Sequence, residues 1–134
     1  MPTIKKFEDI EIWQQARELC KEIMTITKFQ SFEKDYSLKE QLRRSSGSIM
    51  DNIAEGFERQ GNREFQQFLY IAKGSNGEVR SQLYRALDYG YIDMETFSRI
   101  NLLSNKVGVK IHNLIDYLAK SNIKGMKFKK VQND

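Results

Sequence analysis

Residues 62–90 read NREFQQFLYIAKGSNGEVRSQLYRALDYG and decide the fold. The apolar residues of this stretch recur at three- and four-residue steps, as Phe65, Phe68, Leu69, Ala72, Val79, Leu83, Ala86 and Leu87. This spacing predicts a long helix with one buried face, over residues 63–89. Asn62 is suited to cap the start of the helix, and Gly90 to follow its end in a left-handed conformation.

Three further segments show the same periodicity, at about residues 9–28, 37–57 and 94–120. The second opens with Ser37 and Glu40 at capping-box spacing, and the fourth follows Asp93. No proline after Pro2 interrupts a helix. Because short loops between long helices make neighbours antiparallel, the sequence predicts an all-α fold: an antiparallel up-down-up-down four-helix bundle in a single domain, with a basic tail at 121–134.

Composition excludes several classes of protein. The 134 residues fit one domain, and 40% hydrophobic residues with 11% aromatic residues are too many for a disordered chain. A single cysteine and a single histidine exclude disulfide frameworks and Cys/His zinc sites. No apolar run approaches the length of a membrane span, and residues 1–7 lack the apolar stretch of a signal peptide. We therefore expect a cytoplasmic protein without a membrane partner.

The net charge of +4 is concentrated at the C-terminal end. Residues 1–119 are balanced in charge, whereas residues 120–134 hold five lysines against Asp134. Such a tail could bind an anionic partner through phosphate groups, or it could be a solvated terminus.

A second excess of basic residues lies between Arg59 and Arg85, where Lys73 and Arg80 are seven residues apart and share a helix face. Basic surfaces of this kind bind the phosphates of nucleic acids. The candidate phosphate contacts are Arg59, Arg63, Lys73, Arg80, Lys124, Lys127, Lys129 and Lys130.

Small and apolar residues also occur away from the core faces. On the third predicted helix they are Tyr70, Gly74, Gly77 and Tyr84, and on the second they are Gly47, Met50, Ala54 and Phe57. Glycine inside a helix costs roughly 1 kcal/mol relative to alanine, so close approach by another chain would explain Gly74 and Gly77. We interpret these faces as a buried subunit interface; the alternative is a wide intramolecular core with a kink at residues 74–77.

The residues offer little for catalysis. His112 is the only histidine, and Val109 stands three residues before it, so the Glu-x-x-His pairs of a di-metal bundle are absent. Helical spacing places His112 on the outer face and Cys20 on the apolar face of the first helix. We predict no metal, no cofactor and no enzymatic activity.

A polar line follows the second predicted helix and flanks its core face: Gln41, Arg44, Ser48, Asn52 and Glu55. We favour structural pairing over catalysis, with Glu55 bonded to Arg59 and with Arg43 or Arg44 reaching Glu78.

Four motifs carry a family resemblance: FEDIEIW at 7–13, QLRRSS at 41–46, NIAEGF at 52–57, and EF at 64–65 followed by FLYIAKGS at 68–75. They resemble the bacterial four-helix-bundle family named for proteins encoded in intervening sequences of 23S rRNA genes. The match covers roughly residues 7–118. The sequence is also similar to the accessory variability proteins of diversity-generating retroelements.

The resemblance implies a homopentamer of four-helix bundles, and the retroelement proteins imply a basic assembly that engages nucleic acid and a reverse transcriptase. From residues and resemblance together we expect a non-enzymatic homo-oligomer that binds structured RNA or a ribonucleoprotein. The alternative is a scaffold for protein interactions that does not bind nucleic acid.

Overall fold

A computed structural model describes residues 4–121. It contains four helices: α1 (Glu11–Thr27), α2 (Tyr36–Glu58), α3 (Asn62–Asp88) and α4 (Met94–Lys120). Two short 3-10 turns, Phe7–Asp9 and Gln30–Phe32, precede α1 and α2, and the described residues form no strand. The all-α four-helix bundle expected from periodicity is confirmed.

The helices enclose one apolar core. α2 packs on α3, α3 packs on α4, and α1 lies against both α2 and α4, so that α1 and α3 are diagonal in the bundle. Ala16, Leu42, Leu69 and Ile100, one from each helix, are completely buried in this core. None of the described helices is long and apolar enough to span a membrane.

The helix ends follow the predicted pattern at two places and depart from it at two others. Asp93 caps α4 by accepting a hydrogen bond from the Thr96 backbone N–H, and Gly90 after α3 has φ +78°. The N-cap of α2 is Asp35, whose carboxylate accepts from Leu38 N at 3.0 Å, so the predicted capping box of Ser37 and Glu40 does not form the start.

Asn62 is the other departure, because it is the first helical residue of α3 instead of its cap. Gly61 precedes the helix in an extended conformation, which places Asn62 inside the first turn. The side-chain oxygen of Asn62 accepts a hydrogen bond from Gln66 at 2.6 Å.

Contacts across the α2–α3 hairpin fix its register. The hydroxyls of Ser48 and Ser75 are 2.9 Å apart, and Arg85 donates to the side-chain oxygen of Gln41 at 2.7 Å. The predicted pair of Arg43 or Arg44 with Glu78 is not among the ion pairs of the described residues, and Arg44 bonds to Glu40 within its own helix.

Arg43 donates across the α1–α2 contact instead, to the hydroxyl of Thr27 at 2.9 Å. The polar line of α2 thus contributes hydrogen bonds between helices. Besides the pair of Arg44 with Glu40, it contains the predicted ion pair between Glu55 and Arg59, at 2.9 Å. These contacts support the structural interpretation of that line.

Candidate nucleic-acid interface

A cleft of about 340 Å³ lies along the contact between α3 and α4. Lys73, Asn76 and Arg80 line it from α3. Asn105, Gly108, Val109 and His112 line it from α4. Both helices contribute residues at three-, four- and seven-residue steps, and such steps place side chains along one edge of a helix.

A buried polar pair joins the two helices at this cleft: Asn76, which forms its floor, and Ser104 of α4. Asn76 donates from its amide nitrogen to the carbonyl oxygen of Ser104 at 2.9 Å, and the Ser104 hydroxyl donates back to the Asn76 side-chain oxygen at 2.8 Å. Neither residue is exposed to solvent. Because both partners of each bond are buried, the pair holds α3 and α4 at one relative position.

Gly108 allows α4 to pass close to this floor. A Cβ atom at position 108 would lie 3.0 Å from the Asn76 amide nitrogen and 3.7 Å from a guanidinium nitrogen of Arg80. The guanidinium of Arg80 therefore lies over the backbone of α4, inside the cleft.

Lys73 and His112 meet at the rim, with Nζ and Nδ1 3.3 Å apart. A lysine ammonium group has only hydrogens to donate, so Nδ1 of His112 accepts in this contact. The contact holds the Lys73 ammonium beside the ring, at the mouth of the cleft.

The charge that lines the cleft is positive and comes from α3. No carboxylate lines it. Among residues 4–121, all of the ion pairs within 4.0 Å involve other lysines and arginines, so Lys73 and Arg80 have no anionic partner in the described part of the chain. Two cations along one side of a concave surface favour the binding of an oxyanion.

The structure separates the eight predicted phosphate contacts into three groups. Lys73 and Arg80 lie together in the cleft. Arg59 is bonded to Glu55 and lies over the ring of Phe68, 5.1 Å from its centroid, while Arg63 is exposed at the start of α3. The tail residues Lys124, Lys127, Lys129 and Lys130 lie outside the described residues.

Sequence reasoning missed the contribution of α4 to this site. His112 was expected on the outer face, and it is exposed, but its ring contacts Lys73. Asn105 and His112 are seven residues apart, as are Lys73 and Arg80. This shared spacing is the signal from which the sequence could have predicted that the two helix edges lie side by side.

A second basic region lies around the start of α2, in two grooves lined by Lys39 and Arg43. Each of these grooves also contains a carboxylate, Glu33 in one and Glu40 in the other. The mixed charge makes this region less suited to an anion than the α3–α4 cleft.

The predicted interface residues on α3 are open to solvent in the single chain. Tyr70 and Tyr84 are 59% and 53% exposed. Between them, a Cβ atom at Gly74 or Gly77 would meet nothing within 4 Å, so no packing within the chain requires glycine there. The same is true of Gly47 on α2.

The rest of the predicted α2 interface needs correction at one position. Met50 and Ala54 are half-buried, but Phe57 is only 1% exposed and packs edge to face on Phe65 at 6.0 Å between ring centroids. Its side chain belongs to the core of its own bundle and cannot contact another subunit. Gly56 beside it lies close to Phe65 and Phe68, so α3 packs tightly on this turn of α2.

Cys20 is a half-buried free thiol on α1. Burial raises the pKa of the Cys20 thiol above its ordinary value, against a hydrogen bond with Ser46 that lowers it. No group of three or more His, Cys, Asp or Glu side chains within residues 4–121 is placed to hold a metal ion.

Comparisons with known proteins agree on one family. The profile of the 23S rRNA-intervening sequence protein family matches residues 8–113. A crystal structure of a protein of unknown function from the S23 ribosomal protein family of Bacteroides thetaiotaomicron is similar, with a TM-score of 0.72 and 26% sequence identity, over 78% of this chain and 97% of that chain. No curated protein matches the sequence.

Proposed function

The chain belongs to the 23S rRNA-intervening sequence protein family, and from that premise we propose that it is a non-enzymatic homo-oligomer that binds structured RNA. The observation that carries the proposal is the α3–α4 cleft, where Lys73 and Arg80 lie together without a carboxylate. Phosphate contacts by lysine and arginine supply most of the affinity of sequence-independent binding to nucleic acids.

Arg63 extends the cationic surface along the same helix. It is exposed, and no ion pair engages it among the described residues. The proposal also includes the lysines of the tail, for which the sequence is the only support: Lys124, Lys127, Lys129 and Lys130. Arg59 is the weakest of the proposed contacts, because Glu55 already neutralises its charge.

The exposed stripe on α3 supports self-association. Tyr70 and Tyr84 flank the two glycines, so the stripe presents aromatic rings at its ends and bare backbone between them. A helix of another subunit could approach closely at the glycines and bury both rings. An oligomer would also repeat the cationic cleft, and repeated sites bind a long polyanion more tightly than one. We propose a pentamer, on the resemblance.

The first experiment measures binding of a labelled structured RNA over a series of salt concentrations. If about four phosphates are neutralised, the logarithm of affinity should fall with the logarithm of salt at a slope of about −3 for single-stranded segments. The double variant Lys73→Gln with Arg80→Gln should bind more weakly and flatten the slope by about one to two.

A matched control removes the same charge elsewhere. Arg17 and Lys21 are exposed on α1, diagonal to α3, so Arg17→Gln with Lys21→Gln should leave the slope near that of the parent protein. Replacement of Lys127, Lys129 and Lys130 by alanine tests the tail separately. An equal loss of RNA affinity in the cleft variant and in the α1 control would show that net charge alone causes the effect. That result would contradict the role of the cleft.

Absence of RNA binding at low salt would overturn the proposal for nucleic acid. The protein scaffold would then be the better hypothesis, and the exposed apolar residues of α3 and α4, Tyr70, Ile71 and Val109 among them, would be the surface to test against protein partners.

The mass in solution tests self-association. Gly74→Leu and Gly77→Leu should lower the mass measured by light scattering and leave the helical circular dichroism unchanged, because a Cβ atom at either position meets no neighbouring element within 4 Å. Glu18→Leu on the exposed side of α1 is the control for adding a leucine to the surface. An unchanged mass in both glycine variants would remove α3 from the interface.

A further inference from the structure

We propose that the α3–α4 cleft is a binding site for a single phosphate group, in which Lys73 and Arg80 are the donors and His112 holds the Lys73 ammonium at the rim. The inference rests on the proposed function where the phosphate is part of RNA, and it goes further by naming the side chains that bind the phosphate. It concerns one site in one cleft, whereas the salt dependence above reports the charge of the whole surface.

The donors differ in kind, and each suits an oxyanion. Lys73 supplies an ammonium group, and Arg80 supplies a planar guanidinium with several N–H groups. Both form short, charge-assisted hydrogen bonds with phosphate oxygens. The contact of Lys73 Nζ with His112 Nδ1 at 3.3 Å places the ammonium group at the rim of the cleft, so that a phosphate bound to Lys73 lies near the His112 ring.

The cleft is pre-organised for binding by contacts within the protein. The Asn76 and Ser104 hydrogen bonds, at 2.9 and 2.8 Å, fix the two helices beneath the donors. The Asn76 amide and the Ser104 hydroxyl are thereby used within the protein, so they position the cleft and do not bind the ligand. A site held by buried contacts loses little conformational entropy on binding.

The charge of the cleft also indicates an anionic ligand. Lys73 and Arg80 are on the same edge of α3, about two turns apart, and no carboxylate lines the space between the helices. Neither of the two forms an ion pair among the described residues, whereas Arg99 is paired with Glu22 and Lys110 with Glu11 across the α1–α4 contact. A concave surface with uncompensated positive charge attracts and concentrates anions.

Two sources could supply the phosphate: the terminal monoester of an RNA strand, or a diester inside the strand. The cleft is open to solvent, and its volume of about 340 Å³ leaves space for the sugar on either side of the group. Both sources share the tetrahedral oxyanion that the donors recognise, and the experiment separates them.

The test uses the single histidine of the chain as its reporter. We would titrate the full-length protein, without a histidine tag, with inorganic phosphate at constant pH and constant ionic strength, and follow the imidazole resonances of His112 by NMR. The expected result is a saturable shift. The variants Lys73→Gln and Arg80→Gln, each measured separately, should weaken the binding at least tenfold.

Lys106→Gln is the matched control, since Lys106 is exposed on α4 and does not line the cleft. Its titration should equal that of the parent protein. A shift that does not saturate, that chloride reproduces at equal ionic strength, or that Lys106→Gln abolishes as well would overturn the proposal. All of these side chains are at the surface, and circular dichroism of each variant verifies that it folds.

A second arm compares one RNA oligonucleotide with a 5′-phosphate and with a 5′-hydroxyl. A stronger shift of the His112 resonances and tighter binding with the 5′-phosphate would assign the site to the terminal monoester, and equal effects of both would assign it to a diester. RNA binding without any shift at His112 would overturn the site and leave the proposed function standing. Saturable binding of inorganic phosphate without RNA binding would support the site and overturn the proposed function.

Discussion

Asn76 of α3 and Ser104 of α4 exchange two hydrogen bonds across the helix contact, and both side chains are completely buried. Such a reciprocal pair is satisfied only in one register of the two helices. Any sliding of α4 along α3 would leave the Asn76 amide and the Ser104 hydroxyl buried without partners. The pair thus sets the level at which Lys73 meets His112.

Removal of this pair should lower stability measurably. Asn76→Ala leaves the hydroxyl of Ser104 without its buried acceptor, and we expect the free energy of unfolding to fall by about 2–3 kcal/mol. Urea denaturation monitored by circular dichroism measures the change. The neighbouring substitution Asn105→Ala, on an exposed residue, should change stability by no more than about 0.5 kcal/mol. Equal effects of both would contradict a special role for the buried pair.

The turn after α3 requires a residue that tolerates positive φ. Gly90 has φ +78°, and a side chain with a Cβ is strained there by about 1 kcal/mol or more. Gly90→Ala should therefore lower the free energy of unfolding by about that amount. Gly90→Asn should lose less, because asparagine visits the left-handed region more readily. If both variants were as stable as the parent protein, the turn would have another conformation in solution.

The cap of α4 predicts a dependence of stability on pH. The hydrogen bond from the Thr96 backbone lowers the pKa of Asp93 below its ordinary value of 3.8. Since the folded state favours the carboxylate, its contribution is present above the unfolded pKa and is lost as the pH falls through the lower folded pKa. Asp93→Asn should match the parent protein near pH 7, because asparagine also caps helices.

Asp93→Asn should lose less stability in acid than the parent protein. The midpoints of urea denaturation near pH 7 and near pH 3 measure this loss. A loss of the same size in both proteins would show that other carboxylates govern the acid transition.

Cys20 predicts a difference in thiol reactivity between the folded and the unfolded chain. Burial raises the pKa of its thiol, so less of the reactive thiolate exists at a given pH. Alkylation by iodoacetamide near pH 8 should be slower in the native protein than in denaturant. Cys20 is the only cysteine of the chain, so the rate has one source. Equal rates in both states would mean that α1 opens readily around this position.

The amphipathic periodicity was sufficient to predict the four helices. Every helix boundary lies within a few residues of the prediction, because apolar residues at three- and four-residue steps indicate which face is buried wherever the helix packs. The capping residues were harder. Whether Asp35 or Ser37 caps α2 depends on the backbone of the preceding turn, where Tyr91 donates to the carboxylate of Asp35 from a distant loop.

The candidate site was predicted only on one side. Lys73 and Arg80 were recognised by their spacing on a single helix, which is local information. Their meeting with His112 depends on the register between α3 and α4, and many registers bury the same apolar stripe. Phe57 shows the same limit, since it was placed on an outer flank of α2 and the closeness of the α2–α3 turn puts it in the core.

The sequence by itself therefore determined the number of helices, their order, their buried faces and the balance of charge along the chain, because these properties follow from neighbours three and four residues apart. Only the tertiary structure decided which polar side chains of different helices meet. The buried bonds of Asn76 and Ser104 and the bare backbone at Gly108 select one register, and in that register the cations of α3 and the histidine of α4 face a common cleft.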